Sequence, residues 1–486
     1  MSCSRIFSGD LPELTYEVIK YFKTDVSTLY SCILVNRLWC RLAIPLLWEN
    51  PFSGSVFTEN YNFIEIYLDN LNDDSKTKLS EYKINDNLLP SNTLFNYSKF
   101  IKYLNIREFI SSVGGWSCST LKFGDRHSDF ICVSLFKIFV ENEIELHVLD
   151  IEIPSYYSSC LDKILEFILQ NTNFIQNIKN LNLYINNHSD EMVIKDHIIQ
   201  IVNLQQNLKK ILLDNSNFSL YQSLLLSGNS NCSNTLNTII FYCIDFKYIT
   251  NLDKIFDQLN VLESVHLAYC SSLNPIFTQH LTRPFKLKSL YLKWGQQDDE
   301  SLKLLLQKSG DYLENFGDIL SKIYLFDIIE YCKNIKFIYL GDIENQIIYP
   351  ILNLIENIKQ NLNYLSICID IDDDICSSIM LQNLGQILPS KLEYLYFYIP
   401  IIASDFEIFL KNIQDTFIKK LVIHNLRNHD ILPYIKKYIM KRKRIKYLAI
   451  LTNNQNLFDL KDEVKEFKLH DIRVRSYFEL CIDTFY

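Results

Sequence analysis

Nine histidines and thirteen cysteines are the residues best suited to metal or nucleophilic chemistry in this chain, and their spacing supports neither. The histidines stand singly, with no H-E-x-x-H, no His/Cys pair at zinc spacing and no C-x-x-C. Gly-rich phosphate loops and the G-x-S-x-G nucleophile elbow are missing as well. Asp370, Asp372, Asp373 and Asp374 resemble the start of a calcium loop, but Ile375 stands where such a loop turns on Gly and Leu381 where it needs a bidentate Glu. They read as a turn that caps the next helix. The basic run Lys436, Lys437, Lys441, Arg442, Lys443 and Arg444 reads as a solvated helix end, with a nuclear-import or acidic-partner patch as the alternative. The sequence therefore predicts no catalysis, no cofactor and no metal. The chemistry left to it is binding.

Composition agrees. Of 486 residues 48% are apolar and 22% charged, a globular balance, and 11 Gly with 11 Pro leave little for flexible linkers. A net charge of −9 argues against sequence-independent nucleic-acid binding, which needs surplus cations to neutralise phosphates. The scattered cysteines and the acidic N-terminal stretch of Asp10, Glu13 and Glu17 predict free thiols in a reducing compartment, cytoplasm or nucleus. The apolar stretch Tyr394 to Ala403 is short and holds Pro400, so no membrane span is expected.

The elements that must position a binding surface are written in a pattern L-x-x-L-x-L. It starts at residues 101, 146, 178, 208, 236, 262, 287, 313, 335, 362, 392, 418 and 445, the copy at Leu313/Phe316 being damaged by Asp318. Past 146 the starts recur at leucine-rich-repeat spacing, with helical patterns between them such as Leu161, Ile164, Leu165, Ile168 and Leu169. This predicts an α/β solenoid, curved, with a parallel sheet on the concave side and helices on the convex side. The wide first interval leaves room for an insertion around Val113 to Arg126, with an extra strand at Leu121 to Phe123.

Ahead of the repeats, three short helices are expected. Asp10 and Pro12 open the first, which carries Leu14, Val18, Ile19 and Phe22. The second follows Asp25 and Ser27, and the third runs from Asn36 through Trp39 until Pro45 disturbs it. So small a unit buries little by itself and must present apolar residues to its own chain or to a partner. Leu11-Pro12 at the first helix, the apolar spacing behind it and Leu34-Val35-Asn36-Arg37 followed by Trp39 together resemble the F-box. That resemblance implies docking on a Skp-type adaptor and, through it, on the cullin scaffold of a ubiquitin ligase. Leu11, Pro12, Leu14, Val18, Leu29, Cys32, Val35 and Trp39 would be the docking or core positions.

With its repeats the chain resembles the F-box/leucine-rich-repeat family. The implied layout is an F-box at 1–50, a helical bridge at 51–94 and degenerate repeats at 95–486, forming a non-catalytic substrate-recognition adaptor. The alternative is a leucine-rich scaffold without any ligase role, its first helices merely capping the solenoid. Strand alternation would place Tyr184, Tyr242, His266, Tyr291, Lys293, Tyr339, Tyr396, Tyr398 and His424 on the concave face, where tyrosines suit capture of a target protein.

Overall fold

In a computed structural model the described residues are 12–23, 25–53, 61, 63–69, 71, 76–77, 93–121, 128–153, 159–185, 192–214, 234–248, 259–272, 286–292, 299–319, 322–341, 343–427, 429–440, 444–452 and 455–481. The chain forms two compact units, Met1–Ile239 with Gln258–Val261, and Ile240–Asp257 with Leu262–Tyr486. Leu11, Lys293 and three members of the basic run, Lys441, Arg442 and Lys443, lie outside the described residues.

The first unit opens with three helices, α1 (Pro12–Lys20), α2 (Val26–Ile33) and α3 (Arg37–Leu47), followed by α4 (Phe63–Leu68). Two starts are fixed by side chains that satisfy otherwise orphaned N–H groups: Asp25 Oδ1 accepts from Thr28 N at 3.0 Å and Asn36 Oδ1 from Trp39 N at 2.9 Å. Pro45 does not end α3, which continues to Leu47. The carbonyl that Pro45 leaves unbonded belongs to Arg41, an exposed residue where water can take its place.

Strand β1 (Tyr103–Asn105) begins the repeats. It is followed by α5 (Ile106–Leu121), α6 (Ser128–Glu141), β2 (Val148–Ile153), α7 (Ser159–Gln170), β3 (Asn180–Ile185), α8 (Met192–Asn203) and β4 (Lys210–Asp214). The wide first interval is thus filled by two helices. Of the strand expected at Leu121 to Phe123, Lys122 and Phe123 lie outside the described residues, and Leu121 is the last residue of α5, in which Ile106, Phe109, Val113 and Trp116 recur at helical spacing and are all fully buried. The register aligns Leu104, Leu149, Leu181 and Ile211 in one row, each almost wholly buried.

The division between units falls inside β5 (Thr238–Tyr242). The second unit continues with β6 (Ser264–Cys270), β7 (Lys286–Leu292), α9 (Asp299–Ser309), β8 (Asn315–Ile319), α10 (Lys322–Tyr331), β9 (Phe337–Gly341), α11 (Ile348–Ile358) and β10 (Tyr364–Cys368). Then come α12 (Asp374–Ile387), β11 (Lys391–Ile399), α13 (Ala403–Asn412), β12 (Phe417–Asn425), α14 (Leu432–Tyr438) and β13 (Ile445–Thr452). It closes with β14 (Gln455–Asn456), α15 (Lys461–Leu469), β15 (Arg473–Val474) and α16 (Tyr477–Leu480). Strands β6 to β13 pair in parallel in chain order, and successive helices from α9 to α14 pack side by side. Leu267, Leu290, Phe316, Ile338, Leu365, Leu395, Leu421 and Leu448 form one continuous row at 0% exposure. Each such side chain contributes about 1.5–3 kcal/mol by leaving water. Every L-x-x-L-x-L copy, the damaged one included, carries one strand, and neither unit's sheet closes on itself among the described residues. The fold is α/β, of the leucine-rich-repeat solenoid type.

On the sheet face opposite the helices a second row of the same unit alternates in size from Ala268 through Tyr291, Gly317, Tyr339, Ser366 and Tyr396 to Val422, and ends on Ala449. Small residues let neighbouring rings lie down. At Gly317 an added Cβ would overlap the Tyr291 ring and stand 3.3 Å from Tyr339 Cβ. Gly317→Val is therefore expected to cost about 1–3 kcal/mol as overpacking, read as a lower midpoint in denaturant with an altered near-UV tyrosine signal.

The acidic turn is a helix start. Asp373 Oδ1 accepts from Cys376 N at 2.9 Å, and Asp374 takes a two-pronged bond from Arg427 at 3.1 and 3.0 Å. Among the described residues no group of acids, histidines or cysteines is arranged to hold a metal, and no helix is long and apolar enough to cross a membrane.

Two residues of the basic run are paired with acids of the same chain. Lys436 pairs with Glu463 at 2.6 Å and Glu466 at 2.7 Å, and Lys437 with Glu407 at 2.9 Å. Bonds from Lys437 and the Tyr438 hydroxyl hold the Glu407 carboxyl down at about 2, below its ordinary 4.5. A depressed carboxylate stabilises above its unfolded pKa and loses that contribution as pH falls through the folded one. Acid titration of native protein between pH 4.5 and 2 should therefore lower the unfolding midpoint more steeply than in Glu407→Gln.

Candidate docking site

The three N-terminal helices divide their apolar residues between a small core and an uncovered face. Both α1 and α2 pack on α3. Ile19, Leu29, Cys32, Trp39 and Ala43 are buried, as is the polar Thr15. Burial, with the Asp25 carboxylate adding to it, pushes the Cys32 thiol up, so it stays a protonated core residue. Pro12 is exposed, and Leu14, Val18 and Val35 are 46%, 40% and 47% exposed. Around them Tyr21 and Leu34 are each 86% exposed, and Tyr30 is 45% exposed. Leu14 and Val18 on α1 and Tyr21 just past its end follow at helical spacing, a stripe turned to solvent. Of the expected docking positions, Pro12, Leu14, Val18 and Val35 are thus at the surface, and Leu29, Cys32 and Trp39 are core.

What ties this module to the first repeat was not legible in the sequence. The Glu49 carboxylate, just past α3 and nearly inaccessible, pairs with Lys23 and with Lys102 (3.1 Å), while its backbone carbonyl accepts from Lys102 N at 2.9 Å and Tyr103 N at 3.1 Å. Lys23 also donates to the Tyr103 hydroxyl at 3.3 Å and lies 4.9 Å from the centre of its ring. Burial works against the Lys23 charge, but Glu49 and Tyr103 outweigh it and hold the ammonium above its usual range. Trp48 packs on Tyr67 and Tyr97, and Phe52 on Phe63, Tyr67, Phe109 and Phe139, so an aromatic cluster fills the join.

The residues expected on the target-binding face divide between the units. Tyr184, half-buried, belongs to the first, where the same sheet face is polar: Asn182 donates to Asp150 at 2.6 Å, and burial pushes the Asp150 carboxyl up. In the second unit Tyr242, His266, Tyr339, Tyr396 and His424 are half-buried, Tyr398 is exposed and Tyr291 is buried. Tyr291 is covered because its ring lies over Gly317 and against Phe337, and burial pushes its hydroxyl up. The rings of Tyr242 and Tyr269 meet edge to face, and His266 bonds Ser264 at 3.0 Å.

Helix α16 lies on this face. Tyr477 and Leu480 join Tyr394, Val422, Ala449 and Leu451 in a buried cluster. The Tyr396 and Tyr477 hydroxyls are 2.8 Å apart, Tyr394 donates to the Leu480 carbonyl at 3.2 Å, and the His424 ring stands 5.3 Å from that of Tyr477. Burial pushes the Tyr396 hydroxyl up and the His424 imidazole down. The chain thus covers part of its own tyrosine-rich surface.

No family model matches this chain, and no curated protein matches it in sequence. Among solved structures it is similar to a chain in the crystal structure of the Rad7 and Elc1 complex in yeast, at 12% identity, covering 72% of this chain and 90% of that one with a TM-score of 0.41. It is also similar to a leucine-rich-repeat protein of Leptospira interrogans, at 12% identity, covering 70% and 98% with a TM-score of 0.25. At these identities and scores neither likeness carries an argument about function.

Proposed function

We propose that this protein is a substrate-recognition adaptor of a Skp/cullin/F-box-type ubiquitin ligase. Residues 1–50 act as the docking module, 51–94 as a helical bridge and 95–486 as a repeat scaffold that captures a target protein, in the cytoplasm or nucleus. The observation that carries this reading is the exposure of Pro12, Leu14, Val18 and Val35 on a module whose other side is anchored to the first repeat through Glu49. Helices that served only to cap a solenoid would turn those side chains inward, since an uncovered apolar stripe gains nothing for the isolated chain. No bond is made or broken by the chain itself. Its contribution is proximity, holding a target lysine near a charged conjugating enzyme. The test is hydrogen exchange on the full chain with and without a purified Skp-type adaptor. Slower exchange confined to α1 and α2 supports the reading; unchanged exchange there favours the scaffold without ligase role.

A further inference from the structure

We infer that the last turn of the repeat scaffold carries a second docking surface, one that takes an extended acidic segment of a partner protein. The surface is a groove of about 810 Å³ lined by Lys446, Lys468, Arg473, Arg475 and Asp471 beside the apolar Val464, Ile472 and Val474. Four cations face one carboxylate in a chain whose net charge is −9. Neighbouring lysines in the same unit are neutralised internally, Lys436 by Glu463 and Glu466 and Lys437 by Glu407. By contrast Lys446, Lys468 and Arg473 are exposed and make no ion pair among the described residues. Clustered like charges repel, so a groove that keeps Lys446, Lys468 and Arg473 without an ion pair is suited to an anionic occupant.

The backbone argues for an extended one. Strand β15 pairs only with β13 and has no strand on its outer side among the described residues, an edge at which a peptide can add main-chain hydrogen bonds. Register sets Lys420, Tyr447 and Arg473 side by side on adjacent strands. The Tyr447 ring is flanked by the Lys446 ammonium at 5.4 Å and the Arg473 guanidinium at 5.9 Å, which holds both cations at the groove before anything binds. Lys446 and Arg473 stand on the neighbouring strands β13 and β15, Arg475 just past β15 and Lys468 on α15, so the cations come from separate elements, which fits spaced carboxylates better than a single compact anion.

This surface is separate from the N-terminal module and stands whether or not that module docks an adaptor. The test uses the full chain and a fluorescein-labelled peptide of alternating glutamate and threonine, followed by anisotropy at low salt. The matched glutamine–threonine peptide and an unstructured polyuridine strand serve as comparisons. The native chain is expected to bind the glutamate peptide and not its glutamine counterpart. Lys446→Glu with Arg473→Glu should weaken binding by about tenfold or more, as loss of charged contacts does, and Lys446→Gln with Arg473→Gln by less, both with unchanged thermal midpoints. Absence of binding by the native chain, equal binding by the charge-reversed variant, or tighter binding of polyuridine than of the peptide would overturn the proposal.

Discussion

Trp39→Ala is expected to destabilise the N-terminal helices by about 3–5 kcal/mol, the cost of deleting a large buried aromatic side chain. Trp39 is 6% exposed on α3, the helix against which α1 and α2 both pack. So small a unit has little stability to lose, and the change should leave residues 12–47 largely unfolded. Hydrogen exchange reads the outcome directly. Amides of α1 to α3 should exchange as an open segment while β2 and β3 keep their protection, because their leucine row does not include Trp39. Retained protection in α1 to α3 would mean that the join at Glu49 and Phe52, not the three-helix core, holds the module together.

The second large effect is expected at the other end of the chain. Tyr477→Ala removes a ring that is 6% exposed and touches Tyr396, His424 and Phe478, together with a hydroxyl bonded to that of Tyr396. The expected loss is about 3–4 kcal/mol, and Tyr477→Phe should lose about 1 kcal/mol for the hydroxyl alone. Because α16 is a single turn held by the sheet face, Tyr477→Ala should release it, exposing Tyr396, Val422 and Ala449. Faster proteolysis near Arg475 and stronger binding of a hydrophobic dye would report that release. A variant that keeps native resistance at Arg475 would show that Leu480 alone fastens the turn.

The two ends also show what a sequence can and cannot reveal. The strands were legible because L-x-x-L-x-L repeats thirteen times with a period set by one strand and one helix, so a damaged copy such as Leu313/Phe316 is rescued by its neighbours. The helix start at Asn36 was legible because its side chain acts on a backbone N–H three residues away. Long-range pairings leave no such local trace. Glu49 finds Lys102 and Lys23, and Tyr477 finds Tyr396, only once the fold has brought them together. Burial of Tyr291 was equally hidden, since it depends on Gly317 lying on the adjacent strand. Alternation along a strand assigns the face of a side chain, but not what the rest of the chain lays over it.

Co-purification reads whether the uncovered stripe of α1 and the α2–α3 turn is covered by an adaptor. Native chain and a Leu14→Asp, Val35→Asp double variant are each mixed with a purified Skp-type adaptor and resolved by size-exclusion chromatography. Both substituted residues are near half exposed, so the variant should fold with an unchanged thermal midpoint. A stable complex is expected with the native chain and none with the variant. A native chain that elutes apart from the adaptor, or a variant that still binds it, would mean that this stripe is not an adaptor-docking surface.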